Sequence, residues 1–113
     1  MVFTVIKAGK QPEVKLTPAQ KAARVIEVMN FIRNNPRIAR WSIAVRARAG
    51  DRCEECGAIH GITAHHIHEL RQMVDERDII TPEQALNCAA LWDIGNGVTL
   101  CPKCHAAKHP ENH

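Results

Sequence analysis

Four of the five cysteines form two CxxC pairs, Cys53 with Cys56 and Cys101 with Cys104. Two thiolates at this spacing can bind one tetrahedral ion at about 2.3 Å, and two such pairs complete the coordination of Zn²⁺. A site closed by four cysteines has no position open to substrate, so we expect a structural zinc that joins the two ends of the intervening segment. A redox dithiol is the less favoured interpretation, because a redox CxxC normally occurs once and beside a βαβ pattern.

The second pair also fits a different signature, since Cys104 is followed directly by His105 and CxxCH is the attachment motif of c-type haem. Covalent haem attachment requires export. The apolar run before Lys7 is about five residues long, shorter than the signal-peptide core of at least about seven. A haem site would also leave the first cysteine pair without a role, so zinc remains the favoured interpretation and a cytoplasmic location is expected.

Seven histidines are present, and their spacing suggests a second site. His105 and His109 lie four residues apart on a predicted helix, so both imidazoles face one way and can share a cation. His65 and His66 are adjacent near the end of a predicted strand and should point to opposite sides. One of them can join the cation while the other handles a proton, because a neutral imidazole with a pKa of about 6.5 is a suitable base. The other three are expected to be ordinary surface or core residues: His60, His68 and His113.

Two predicted helices precede these motifs. Thr17 to Gln20 form a capping box with Pro18 at the first helical position, and the first helix should end near Asn34. Asn35 and Pro36 start a second helix, which Gly50 is placed to end. Each helix has an apolar stripe at helical spacing. The stripes comprise Ala22, Val25, Ile26, Met29 and Ile32 on the first, and Ile38, Trp41, Val45 and Ala49 on the second.

The remaining elements surround the cysteine and histidine motifs. We predict a strand over 61–66, a polar insertion over 68–80, and a third helix from Thr81, which starts a second capping box, to about Ala90. Cys88 is expected on that helix as a small buried residue. A loop over 93–97, a strand over 98–100 and a short helix containing His105 and His109 complete the chain.

Charge divides the chain into a basic and an acidic part. Residues 1–52 carry 11 Lys/Arg and 3 Asp/Glu, whereas residues 53–113 carry 4 and 9. This division suggests a polyanion partner beside a cation-binding site. Arg37, Arg40 and Arg48 share one edge of the second helix, where they form either a solvated face or a row of phosphate contacts. The length of 113 residues indicates one domain, and aromatic residues are only 4%, so a zinc would help to brace a thin core.

Three segments together resemble a known family. CEECG, AHHIHEL and NGVTLCPKCHAAKH are similar to the motifs of HNH endonucleases, which carry a ββα-metal motif that is often flanked by two zinc knuckles. The resemblance covers about residues 41–109. It implies an α+β fold with a small, treble-clef-like ββα-metal motif, a structural zinc and additional N-terminal helices. Together with the polar N-terminal stretch and the helix signals described above, it leads us to expect an extended arm at 1–16 and one domain at 17–113, with helices at 17–50 and the core motif at 53–109.

The resemblance also implies roles for individual residues. His66 is the implied general base and Asn96 the central residue of the motif, which we expect to brace a loop. The implied ligands of one divalent cation, Mg²⁺, Mn²⁺, Ni²⁺ or Zn²⁺, are His65, His105 and His109. The 29 residues between His66 and Asn96 exceed those of compact members of the family.

The implied activity is metal-dependent hydrolysis of DNA phosphodiester bonds, with one active site nicking one strand. Contact with DNA is expected from five basic residues: Arg37, Arg40, Arg46, Arg48 and Lys103. We expect a monomer or a weak homodimer, with no membrane partner and no organic cofactor. The alternative is a non-catalytic zinc module that binds nucleic acid or protein, which would need only the cysteines.

Overall fold

The computed structural model describes residues 15–108. The described part is α+β, mostly helical, with one small antiparallel sheet, and it confirms the predicted fold class at that level. The α-helices are α1 (Pro18–Arg33), α2 (Pro36–Arg48), α3 (Leu70–Glu76), α4 (Pro82–Leu86) and α5 (Pro102–Lys108). The strands are β1 (Thr63–His66) and β2 (Gly97–Leu100), and two 3-10 helices span Ala89–Trp92 and Ile94–Asn96. Most of the predicted arm at 1–16 lies outside the described residues.

The starts of α1 and α2 are as predicted. The Thr17 hydroxyl accepts a hydrogen bond from the Gln20 backbone N–H at 3.1 Å, and the Gln20 side chain accepts one from Thr17 N–H at 2.9 Å. The Asn35 side chain accepts from Arg37 N–H at 2.9 Å and begins α2. Gly50 follows the end of α2 with a φ of +70°, a conformation that glycine adopts without steric cost.

The predicted stripe of α1 is partly wrong. Val25, Met29 and Ile32 are buried, together with Val28, but Ala22 is exposed and Ile26 is 57% exposed. Ala22 and Ile26 are exposed because the helices that contact α1, namely α2, α3 and α4, pack against its other side. Ile26 is about 100° around the helix from Val25 and falls outside that side.

The segment between the two strands departs most from the prediction. The predicted polar insertion contains α3, whose Met73 and Val74 are buried in the core. The helix predicted from Thr81 to about Ala90 is α4 in the structure, and it ends at Leu86. Cys88 therefore lies between α4 and a 3-10 helix rather than on α4, and it is half-buried. The turn at this point lets Leu91 enter the core, where it is fully buried.

Two separate groups of buried side chains hold the protein together. We call the first the helical core; its nine buried members come from α1, α3, α4 and the adjoining turns: Val25, Val28, Met29, Ile32, Met73, Val74, Ile79, Ala85 and Leu91. The second, the knuckle core, consists of Cys53, Leu100 and Cys101 with partly buried neighbours. Only the knuckle core contains the CxxC cysteines, so the helical core does not depend directly on a metal ion.

The sheet lies against α2. Strand β1 pairs with β2 so that His65 is opposite Val98 and His66 is opposite Gly97. Helix α2 packs on both strands. The buried Thr99 hydroxyl donates to the Val45 carbonyl of α2 at 3.3 Å. Close packing of this kind leaves little space at the start of β2.

Gly97 is where α2 and the sheet come closest, and we expect Gly97→Ala to destabilise the fold. A Cβ at this position would overlap the Val45 side chain and lie 3.0 Å from Cζ2 of Trp41. Overpacking of a rigid site costs about 1–3 kcal/mol, so the variant should unfold at clearly lower urea concentration. Gly95→Ala is the matched control, because its Cβ would meet mainly the exposed Asp93 carboxylate, at 3.2 Å. Equal midpoints for Gly97→Ala and the wild type would contradict this packing.

Candidate metal centre and histidine cluster

The four CxxC cysteines come together in the structure. Their sulfur atoms all lie within 4.8 Å of one another, and the Sγ atoms of Cys56 and Cys101 are 3.7 Å apart. A tetrahedral ion with Zn–S distances of about 2.3 Å separates its sulfur ligands by about 3.8 Å. The cluster therefore has the composition and size of a four-cysteine site and is compatible with a structural metal ion such as zinc.

Each cysteine pair is held by a short turn of backbone. In the first pair, Cys53 N–H donates to the Ala58 carbonyl at 2.8 Å and Gly57 N–H donates to the Cys53 carbonyl at 2.9 Å. Gly57 has a φ of +80°, which a residue with a Cβ adopts only with strain. The second pair begins α5, where His105 N–H donates to the Cys101 carbonyl at 2.9 Å. These turns direct both sulfur atoms of a pair to the same point.

The thiols differ in their electrostatic surroundings. Burial raises the pKa of Cys53, but backbone N–H groups of Cys56, Cys101 and Glu55 outweigh it and lower that pKa to about 6. Burial and the neighbouring cysteine sulfurs raise the pKa of Cys104 to about 12. Negative charge on one sulfur thus opposes ionisation of the next, and a divalent cation is the species that lets all four be thiolates.

Glu54 connects the turn that holds Cys53 and Cys56, which we call the first knuckle, to the sheet. This role was not predicted from the sequence. Its backbone N–H donates to the Thr99 carbonyl at 2.9 Å, and its side chain accepts from Thr99 N–H at 2.9 Å. The carboxylate also lies 3.9 Å from Arg48. No local signal marks Glu54, because the partner is backbone from a strand 45 residues away.

His65 and His105 meet on one side of the sheet. Their rings are stacked, with centroids 3.9 Å apart and planes 12° apart, and Nε2 of His65 is 2.7 Å from the Thr63 hydroxyl. A cavity of about 270 Å³ is lined by both residues and by His66, with Arg33 and Glu69 also contributing to its walls.

His65 and His105 each offer imidazole nitrogens, which are common ligands of divalent cations, and their rings are in contact. Within residues 15–108, however, the four cysteines are the one group of three or more potential ligands whose donor atoms lie within 4.8 Å of one another. The predicted third ligand, His109, lies outside the described residues. Two of the three predicted ligands, His65 and His105, therefore lie within the described residues.

His66 is held differently from its neighbour. Its ring is stacked on Trp41, with centroids 4.0 Å apart and planes 8° apart, and its Nε2 is 3.0 Å from the Leu91 carbonyl. A carbonyl can only accept, so Nε2 is the donor and Nδ1 of the neutral ring is the acceptor. Burial lowers the pKa of His66, while the Leu91 carbonyl opposes this shift with a smaller effect. Burial thus favours the neutral form of the ring.

Asn96 braces the chain immediately after β1. Its side-chain oxygen accepts from His68 N–H at 2.8 Å, and its side-chain nitrogen donates to the His68 carbonyl at 3.1 Å. The Asn96 carbonyl also accepts from Ile67 N–H at 2.9 Å. Both ends of the amide are therefore used to hold backbone, which keeps the end of β1 beside the start of β2.

Two of the five predicted DNA-contacting residues contact parts of the protein that are distant in sequence. Arg48 donates to the Ile94 carbonyl at 2.8 Å and to the Gly97 carbonyl at 2.6 Å. The guanidinium of Arg37 lies 4.6 Å from the centre of the Trp92 ring and donates to the Leu86 carbonyl at 3.1 Å. Both side chains therefore connect α2 to the segment between the strands.

The other three predicted residues lie on or near the surface. Arg40 and Lys103 are exposed. Arg46 is half-buried, and its Nε lies at hydrogen-bonding distance, 3.4 Å, from the Ser42 carbonyl of its own helix. Of these three residues, Arg40 and Lys103 are thus the more accessible.

No protein-family model, curated protein or solved structure matches this chain. Among the described residues, no helix is both long enough and apolar enough to cross a membrane. The functional interpretation rests on the geometry given above and on the motifs in the sequence.

Proposed function

We propose that the protein is a metal-dependent HNH endonuclease that hydrolyses phosphodiester bonds and nicks one strand of duplex DNA. The observation that carries the proposal is the position of His66. His66 is among the residues that line the same cavity as the stacked His65 and His105, and the hydrogen bond to the Leu91 carbonyl leaves Nδ1 of the neutral ring as its acceptor. A base and two imidazole ligands around one cavity are the groups that hydrolysis at phosphorus requires.

In this mechanism His66 removes a proton from the attacking water. Nδ1 accepts the proton, and the positive charge that forms on the ring is stabilised by the Leu91 carbonyl at Nε2. Asn96 contributes by holding the chain after β1, not by contacting substrate. The proposed products carry a 5′ phosphate and a 3′ hydroxyl.

His65 and His105 would hold the divalent cation, with His109 as the proposed third ligand. When bound, such a cation supplies Lewis-acid stabilisation of the negative charge that develops on the phosphate and leaving oxygens. The rings of His65 and His105 are stacked on each other, and both residues line the cavity together with His66. The proposed metal is Mg²⁺, Mn²⁺, Ni²⁺ or Zn²⁺.

The direct test is conversion of supercoiled plasmid by the zinc-loaded protein with each of these metals added in turn. We expect open-circular DNA to accumulate before linear DNA, because one active site cuts one strand. Absence of cleavage with all four metals would contradict the nuclease proposal. Linear DNA without an open-circular intermediate would contradict a nicking monomer and indicate a dimer.

DNA binding should depend most on the accessible basic residues. We expect Arg40→Ala and Lys103→Ala each to reduce the slope of log K against log salt by about 1, because each removes one phosphate contact. The measurement is fluorescence anisotropy with a labelled duplex at several salt concentrations. Arg24→Ala is the control, since it removes an exposed charge from α1 outside the predicted set. Equal slopes for all three variants and the wild type would exclude specific roles for Arg40 and Lys103.

A non-catalytic zinc module that binds nucleic acid or protein is the second candidate. One observation favours it: the four cysteines cluster closely enough to hold a metal ion, and a binding module needs only this cluster. This candidate predicts DNA binding or protein binding without cleavage. The plasmid assay therefore separates the two functions.

A further inference from the structure

Trp41 makes an unusual pair of contacts for a core residue. It lies on α2, is only 5% exposed, and places its indole face parallel to the imidazole of His66 at 4.0 Å. Its Nε1 donates to the Asp93 carbonyl at 2.9 Å. The indole ring is therefore fixed at its edge while its face covers His66.

His66 and Trp41 are attached to the same short segment. His66 donates to the carbonyl of Leu91, and Trp41 donates to the carbonyl of Asp93, two residues further along. Rotation of the imidazole would break its hydrogen bond to Leu91 and its parallel contact with the indole together. The orientation of the His66 ring is thus determined by its stack on the Trp41 indole and by its hydrogen bond to Leu91. Both contacts are tied to the segment that contains Leu91 and Asp93.

We propose that Trp41 is a positioning residue for His66: its stacked indole holds the imidazole so that Nε2 stays on the Leu91 carbonyl and Nδ1 remains the proton acceptor. This inference rests on the proposed nuclease function for its catalytic consequence. The positioning itself is a property of the folded protein and is measurable without DNA.

Trp92 provides a matched comparison within the same region. It is also a tryptophan whose Nε1 donates to a backbone carbonyl, that of Ala85, at 3.0 Å. Its ring is contacted by the guanidinium of Arg37. Replacement of Trp92 therefore controls for loss of a tryptophan without removing the stack on His66.

The first measurement is NMR of the zinc-loaded wild-type protein without added divalent cation. We expect the His66 ring protons to be shifted upfield by the indole ring current, and the ring ¹⁵N shifts to show the tautomer protonated at Nε2. Unshifted ring protons or the Nδ1-protonated tautomer would overturn the proposal before any variant is made.

The variants Trp41→Leu, Trp41→Phe and Trp92→Leu then test the catalytic consequence. Small displacements of a catalytic group can cost about 100-fold in rate, so Trp41→Leu should lower kcat for plasmid nicking about 10- to 100-fold with KM changed less than about threefold. Its His66 ¹⁵N shifts should move to those of mixed tautomers. Trp41→Phe should recover most of the rate, since it keeps an aromatic face, and Trp92→Leu should leave the His66 signals unchanged.

The outcomes are distinguishable. A folded Trp41→Leu variant with wild-type kcat and wild-type His66 shifts would overturn the proposal, as would a loss that falls on KM alone, which would make Trp41 a DNA-binding residue. If Trp41→Leu does not fold, the wild-type spectrum and the Trp41→Phe variant test the proposal instead. A folded Trp41→Phe variant that loses rate while its His66 signals stay unchanged would overturn the proposed positioning role of Trp41. If the wild type does not cleave DNA, the spectra still test the positioning while the nuclease function fails.

Discussion

Replacement of His66 by alanine is expected to lower the rate of plasmid nicking about 10²- to 10⁴-fold, the usual contribution of a general base. The variant retains the stacked pair of His65 and His105, so metal binding should persist while the proton acceptor is lost. The measurement is the initial rate of open-circle formation at saturating metal, with circular dichroism of the same samples to establish that they are folded.

His60→Ala is the matched control for this prediction. His60 is exposed and lies between the first knuckle and β1. Its removal should leave the nicking rate within about twofold of wild type, in line with the usual small effects of surface substitutions. A folded His66→Ala variant that nicks DNA at the wild-type rate would remove His66 as the base. Such a result would leave the cavity and the metal ligands to be explained by another reaction.

Loss of the structural metal is the second large effect that we expect. Structural Zn²⁺ contributes about 10–16 kcal/mol of apparent binding free energy in small zinc-dependent folds, so its removal should unfold whatever depends on the cysteine cluster. In this protein that part is the knuckle core, formed around Cys53, Leu100 and Cys101. The two knuckles, the sheet and α5 should lose order on treatment with a strong chelator.

The helical core should respond differently. Its nine buried residues pack without any of the four CxxC cysteines, so backbone amides of α1 should keep more protection from hydrogen exchange than those of β2. Cys56→Ser should reproduce the effect of the chelator. Cys88→Ser, which changes a half-buried cysteine outside the cluster, should not. Unchanged exchange after chelation would contradict a structural metal, and uniform loss of protection would show that the two cores fold as one unit.

Features with a local cause were predictable from the sequence. The capping boxes at Thr17 and Thr81 start helices because the donor and acceptor lie within one turn of chain. Each short turn brings the two sulfur atoms of one CxxC pair together, and the four sulfur atoms form a cluster that is compatible with one tetrahedral ion. The short helix α3 was missed because seven residues with two buried side chains carry little periodic signal.

Arg48 illustrates what local patterns do not reveal. Its place on a basic edge suggested a phosphate contact, yet it donates to the carbonyls of Ile94 and Gly97, 46 and 49 residues away. Every residue except proline offers the same backbone groups, so a carbonyl as partner leaves no mark in the sequence. Position 97 requires glycine because α2 packs closely against it and leaves no space for a Cβ. This requirement likewise cannot be read from the local sequence NGVTL.

The sequence by itself determined the helix starts, the presence of two short strands near 61–66 and 98–100, and the identity of the four cysteines that cluster. The helix starts depend on contacts within one turn of chain, and each cysteine pair depends on one short turn of backbone. Only the tertiary structure decided the surroundings of His66, because the Trp41 face and the Leu91 carbonyl come from elements 25 residues away on either side. Which nitrogen of an imidazole can accept a proton depends on what the other nitrogen contacts, and that is a property of the fold.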